Sequence, residues 1–138
     1  MIRTSVFLMS LLFSVIGFAG GPTASPEGAS VYIISPADGD TVSSPVRVVF
    51  GLRGMGVAPA GTDKVNTGHH HLIIDTDLPA ADAPVPADAQ HVHFGGGQTE
   101  VSVELPPGEH SLQLLLGDMS HVPHDPPVYS EKITITVK

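Results

Sequence analysis

The chemistry available to this sequence lies in its eight histidines. His69, His70 and His71 are consecutive, His91 and His93 form a second His-x-His pair, His121 and His124 form a His-x-x-His pair, and His110 stands alone. Histidine is the commonest metal ligand among side chains. On a β-strand, residues i and i+2 point to one face with Cα atoms roughly 6.5 Å apart, so both rings of a His-x-His pair can reach a single ion. One such pair is a weak signal. Two pairs together with His121 and His124 point to a metal centre; the competing reading is a set of polar rim residues or hydrogen-bonded core histidines.

The donor set narrows the metal. The chain has no cysteine, which rules out thiolate sites and disulfides alike. Imidazole suits zinc, copper and nickel, nitrogen-rich sites bind Cu(II) more tightly than Zn(II), and thioether sulfur from Met55 or Met119 would favour reduced copper. Copper is the first expectation and zinc the second. The candidate ligands are His69, His71, His91, His93, His121, His124, Met55 and Met119. For either methionine alone, an apolar loop plug is the competing role.

Other chemistries find less support. Six Lys and Arg stand against fourteen Asp and Glu, a formal net charge of −8, and a negative surface repels a phosphate backbone, which excludes nucleic acid as an expected partner. Ser43, Ser44, Ser102, Ser111 and Ser130 lie in strand or turn contexts without a nucleophile elbow. The carboxylates of Asp38 and Asp40 sit in a turn that Gly39 explains. No catalytic residue is assigned.

These ligands must be held by strands. Thirteen prolines and fifteen glycines leave no amphipathic stretch of helical length after the first twenty residues. Short runs rich in Val, Ile and Leu remain, at residues 31–34, 45–52, 69–75, 99–105, 110–116 and 128–137, with residues 90–94 as a short addition. Val46, Val48 and Phe50 share one face, as do Val101, Val103 and Leu105, and Leu112, Leu114 and Leu116. The run at 69–75 is apolar on both faces near Leu72, Ile73 and Ile74, as a central strand should be. The expected fold is an immunoglobulin-like antiparallel β-sandwich of six to seven strands. Residues 76–89, dominated by Ala, Pro and Asp, read as a mobile surface loop.

In such a sandwich the B to C, D to E and F to G loops gather at one end. Taking residues 69–75 as strand C, 90–94 as D and 110–116 as F, the two His-x-His pairs and the His121/His124 pair fall at that end, with Met55, Asp118 and Met119. His110 starts at the far end. It occupies the place where these folds carry a corner tyrosine bonded back to backbone, and it reads as structural.

The chain opens with Arg3 and an apolar run over residues 6–18, closed by Ala19, Gly20 and Gly21, the pattern of a signal peptide. The run is shorter than the roughly twenty residues a membrane span needs. Residues 1–19 are expected to be a cleaved signal, 20–29 a short linker and 30–138 one sandwich domain. The protein is expected in the periplasm or secreted, without membrane insertion after signal removal. Its expected partners are a metal ion and another envelope protein.

The runs Phe50, Gly51, Leu52, Arg53, Gly54, Met55; Gly68 followed by His69, His70, His71, Leu72, Ile73, Ile74, Asp75; His91, Val92, His93, Phe94, Gly95, Gly96, Gly97, Gln98, Thr99, Glu100; and Leu116, Gly117, Asp118, His121, His124 resemble a bacterial envelope family known as domain of unknown function 4399. The resemblance spans nearly the whole chain after the signal. It implies that these runs belong together, and it brings no established activity with it.

Three functions stay open on these residues. The first is a metal-binding or metal-delivery protein. The second is a metal-dependent oxidoreductase of small β-sandwich type, since a strand-borne His-x-His is similar to those of cupins and copper-zinc superoxide dismutases. Against it, no cupin glutamate follows His71 at short spacing and the dismutase disulfide cannot form. The third is a plain immunoglobulin-like binding module with no metal.

Overall fold

The computed structural model describes residues 22–138; the expected signal peptide and the first residues of the linker lie outside the described residues. Nine strands run in chain order: β1 (Ser30–Ser35), β2 (Thr41–Val42), β3 (Val46–Arg53), β4 (Gly56–Val57), β5 (Thr67–Ile74), β6 (His91–His93), β7 (Glu100–Val103), β8 (Gly108–Gly117) and β9 (Ile133–Val137). No helix occurs among the described residues. A three-stranded sheet has the order β1-β3-β7, and a six-stranded sheet has the order β2-β9-β8-β5-β4 with β6 also paired to β5. The protein is an all-β sandwich of two sheets.

Alternation along each strand builds the core between the sheets. Val46, Val48 and Phe50 of β3 and Val31 of β1 meet Leu72 and Ile74 of β5, Leu112, Leu114 and Leu116 of β8, and Ile135 and Val137 of β9. Each such side chain stabilises the fold by about 1.5–3 kcal/mol through burial. The second sheet is covered on its outer face as well. Ile73 and Leu115 point outward and are buried with Val85, and Leu78 packs against them. Residues 76–89, expected as a loose surface loop, thus fold back over the sheet, because Val85 and Leu78 supply the apolar contact that Ile73 and Leu115 require.

Two details of topology differ from expectation. Residues 91–93, expected as a D strand, pair with β5 in the second sheet, with His71 opposite His93 and Ile73 opposite His91. The return path fixes this: Ile74 N–H donates to Gln90 O and Phe94 N–H to His70 O, so the chain leaving β5 comes back along its edge. The pairing is also not purely antiparallel, since β2 runs parallel to β9 and β4 parallel to β5 over two residues each. These short pairings extend the second sheet at both sides.

His110 ties the far end of the sandwich. Its Nδ1 lies 2.7 Å from Asp75 Oδ2 and its Nε2 2.8 Å from Pro106 O. Asp75 also accepts from Ser111 N–H through Oδ1. The bond back to Pro106 is the corner contact expected for this position. The hydrogen bond that His110 donates to Asp75 raises the His110 pKa, with burial opposing it.

Both ring nitrogens can donate only when the ring is charged, so the charged form is favoured in the fold. A folded pKa above the unfolded value places this stabilisation below about pH 6.5 and removes it as pH rises through the folded pKa. His110→Ala should therefore lower unfolding stability by about 1–3 kcal/mol at pH 6. The gap from wild type, read from urea midpoints, should narrow as the pH is raised above neutrality. A constant gap would mean that the ring acts by packing alone.

Candidate metal centre

β5 is buried along seven of its eight residues, and the period of two sorts its three histidines. His70 points inward with Leu72 and Ile74, its ring 5.1 Å from that of Phe50. His69 and His71 point outward with Ile73. His93 stands opposite His71 on β6, and His121 reaches the same place from the loop after β8. The four outward rings lie together, every pair of centroids between 4.6 and 6.1 Å apart. One nitrogen from each of His69, His71, His93 and His121 lies within 4.8 Å of the others. His69 Nε2 and His121 Nδ1 are 3.1 Å apart, a hydrogen bond whose direction depends on the tautomer.

Glycines make this density of rings possible. A Cβ on Gly117 would stand 2.7 Å from His71 Cε1, and one on Gly95 would stand 2.3 Å from His93 Cε1. A Cβ on Gly68 would meet Gly117 O at 2.7 Å and His124 Nε2 at 2.8 Å. Each distance is below any real carbon contact, so an alanine at these positions would push an imidazole or the backbone out of place. Gly95 lies beneath the His93 ring.

His121 is held by force of geometry. Its φ is +66°, a left-handed conformation uncommon outside glycine. Asp118 fixes the loop around it: Oδ1 accepts from Ser120 N–H and Val122 N–H, and Oδ2 from Thr23 Oγ1. Backbone bonds from His121 N–H to Asp118 O and from Asp118 N–H to Val122 O close the turn, and Val85 N–H donates to His121 O.

Burial favours the neutral form of His69, His70, His71 and His93. His69 and His71 are 1% exposed and His70 is fully buried. Loss of hydration on burial, followed by the neighbouring imidazoles His93 and His121, pushes the His69 pKa down to about 4, with Asp118 opposing. His71 is pushed down to about 3 by burial and then by His69, His93 and His121. Burial takes His70 down to about 4 and lowers His93, with His121 adding to it. His69 Nδ1 and His71 Nδ1 are buried without a hydrogen-bond partner in the protein.

The other candidate ligands lie elsewhere. His91 turns its Nδ1 to Asp88 Oδ1 at 2.8 Å. His124 is buried over Gly68, beside Asp118 and Met119, where all three line a separate cavity of about 180 Å³ with Thr23. Met55 packs against the core between the sheets. The structure therefore brings together His69, His71, His93 and His121, and does not bring His91, His124, Met55 or Met119 to them. Sequence reasoning missed the cover over the cluster, Pro84, Val85, Pro86 and Ala87. The one signal for it was an isolated valine between two prolines in a polar stretch.

Fold and site together define a β-sandwich that carries a histidine cluster on the outer face of its larger sheet. The chain belongs to the family described as Domain of unknown function (DUF4399), whose pattern matches residues 48–138. That span contains all four clustered histidines and their three glycines. No curated protein and no solved structure matches the chain.

Two outcomes follow from this geometry. Below about pH 6.5 the unfolded chain takes up protons that the buried rings refuse, so the stability of metal-free protein is full above that pH and is lost as pH falls toward the folded values near 4 and 3. Urea unfolding of chelator-treated protein should lose several kcal/mol between pH 7.5 and 5, and a flat profile would contradict the burial of neutral rings. Separately, His121→Gly should relieve the left-handed strain. Metal-free stability should stay level or rise by up to about 1 kcal/mol, although the ring is lost from the cluster. A clear fall in the unfolding midpoint would show that the loop needs the ring itself.

Proposed function

We propose that this protein binds a divalent transition-metal ion through His69, His71, His93 and His121. The observation that carries this reading is the convergence of four imidazoles, two of them almost fully buried. His69 turns its Nε2 toward His121 at 3.1 Å, so the rings present nitrogens to one another, where an ion could take a lone pair from each. The lowered pKa values of His69, His71 and His93 support the same conclusion, because an imidazole binds metal only when neutral.

Copper is the preferred ion and zinc the second. The preference rests on the affinity order at imidazole donors, which places Cu(II) above Zn(II). The thioether argument for reduced copper has no support at this cluster, since Met55 and Met119 lie away from it. The role is binding or delivery of the ion in the periplasm or outside the cell, following export by the N-terminal signal, with a second envelope protein as the exchange partner.

Copper titration of the untagged protein with elemental analysis tests the reading. One ion per chain should bind. Changing His71 and His93 together to alanine should weaken binding by about 100-fold or more, whereas changing Met55 and Met119 together should leave stoichiometry intact. Stoichiometric metal in the double histidine variant would remove the cluster from the assignment.

A further inference from the structure

The four imidazoles are not equally covered. His69 and His71 form a buried floor, His121 is half-buried and His93 is exposed. Above them, Pro84, Val85, Pro86 and Ala87 face His71, His93 and His121 across a cavity of about 220 Å³. This is well beyond the space one water molecule needs. Apart from the imidazoles its lining is Pro, Val and Ala, with no carboxylate or cationic side chain.

Charge decides what such a space would hold. The clustered ligands are all imidazoles, so a divalent ion held by four neutral rings keeps its full double charge. Asp118 is the acidic group whose charge reaches His69, but both its oxygens are engaged by Thr23, Ser120 and Val122. An uncompensated dication over a partly water-excluded floor attracts an anion strongly.

We propose that the metal-loaded centre takes a small monovalent anion, of the size of azide, formate or another short carboxylate, as a direct ligand in the cavity between His71, His93, His121 and residues 84–87. A water leaves the ion and the anion donates a lone pair in its place, with no change of oxidation state. The inference rests on the metal reading above and adds an exchangeable position to it. Four imidazoles would fill the shell of a tetrahedral ion such as zinc, so the added position requires an ion that accepts more than four ligands, as Cu(II) does.

The test uses the untagged protein loaded with Cu(II) and titrated with sodium azide, read by the azide-to-copper charge-transfer absorption. A saturable band at one azide per copper is expected. Ala87 is exposed on the cavity wall, so Ala87→Phe fills the space without entering the core. That variant should weaken azide binding by about tenfold or more, with copper affinity within about threefold of wild type. Ala87→Ser should match wild type in both.

Copper binding with no saturable azide band, or equal azide affinity in Ala87→Phe and wild type, would overturn this inference and leave the metal reading standing. Failure of the wild-type protein to bind copper would overturn the metal reading and take this inference with it.

Discussion

β5 is a strand buried on both faces that nevertheless carries three consecutive histidines. Its hydrogen-bonding needs along the backbone are met by β8 on one side and by β6 and β4 on the other. Its side chains have no such ready answer. Alternation sends His70 into the apolar core beside Phe50, and sends His69 and His71 to the outer face, where the remaining parts of the molecule must cover them. Most of what is unusual in the structure answers that requirement: glycines at 68, 95 and 117 where rings need room, a left-handed His121, and residues 76–89 laid over the sheet.

The arrangement is costly to the fold. Buried ring nitrogens without partners oppose folding, and the strained backbone at His121 adds to that opposition by about 1–3 kcal/mol. The core between the sheets offsets it with fully buried Leu72, Leu112, Leu114, Leu116 and Ile135. A ligand that binds the folded state and not the unfolded one stabilises a protein by an amount that grows with the logarithm of its concentration over Kd. Buried ring nitrogens without partners occur at His69 and His71 on the outer face, at His70 in the core and at His124 beside Asp118.

Asp118 links the site to the rest of the chain. One carboxylate holds the turn that presents His121 and also receives the hydroxyl of Thr23, close to the start of the described residues. Backbone bonds between Ser25 and Asp125 and between Asp125 and Thr23 continue that seam. The N-terminal segment therefore helps to set the loop after β8, and the position of His121 depends on contacts made almost a hundred residues apart in sequence.

Period-two alternation was enough to read the strands at residues 31–34, 45–52, 69–75 and 110–116, the inward set of Val46, Val48, Phe50, Leu112, Leu114 and Leu116, and the shared face of His69 and His71. It also gave His110 its structural place, because a residue at the start of that strand meets the corner of the sandwich. Other features depend on partners far away in sequence. Whether residues 91–93 pair with β5 or with β7 turns on how the preceding loop folds back, and that is settled by the apolar contact of Val85 and Leu78 with Ile73 and Leu115. His121 and His124 look equivalent in sequence. The left-handed turn held by Asp118 sends the first to His69, and Gly68 receives the second. The sequence by itself determined which residue types share a strand face, since that follows from local backbone geometry; only the tertiary structure decided which four imidazoles meet, since that depends on loop closure and on where a missing Cβ leaves room for a ring.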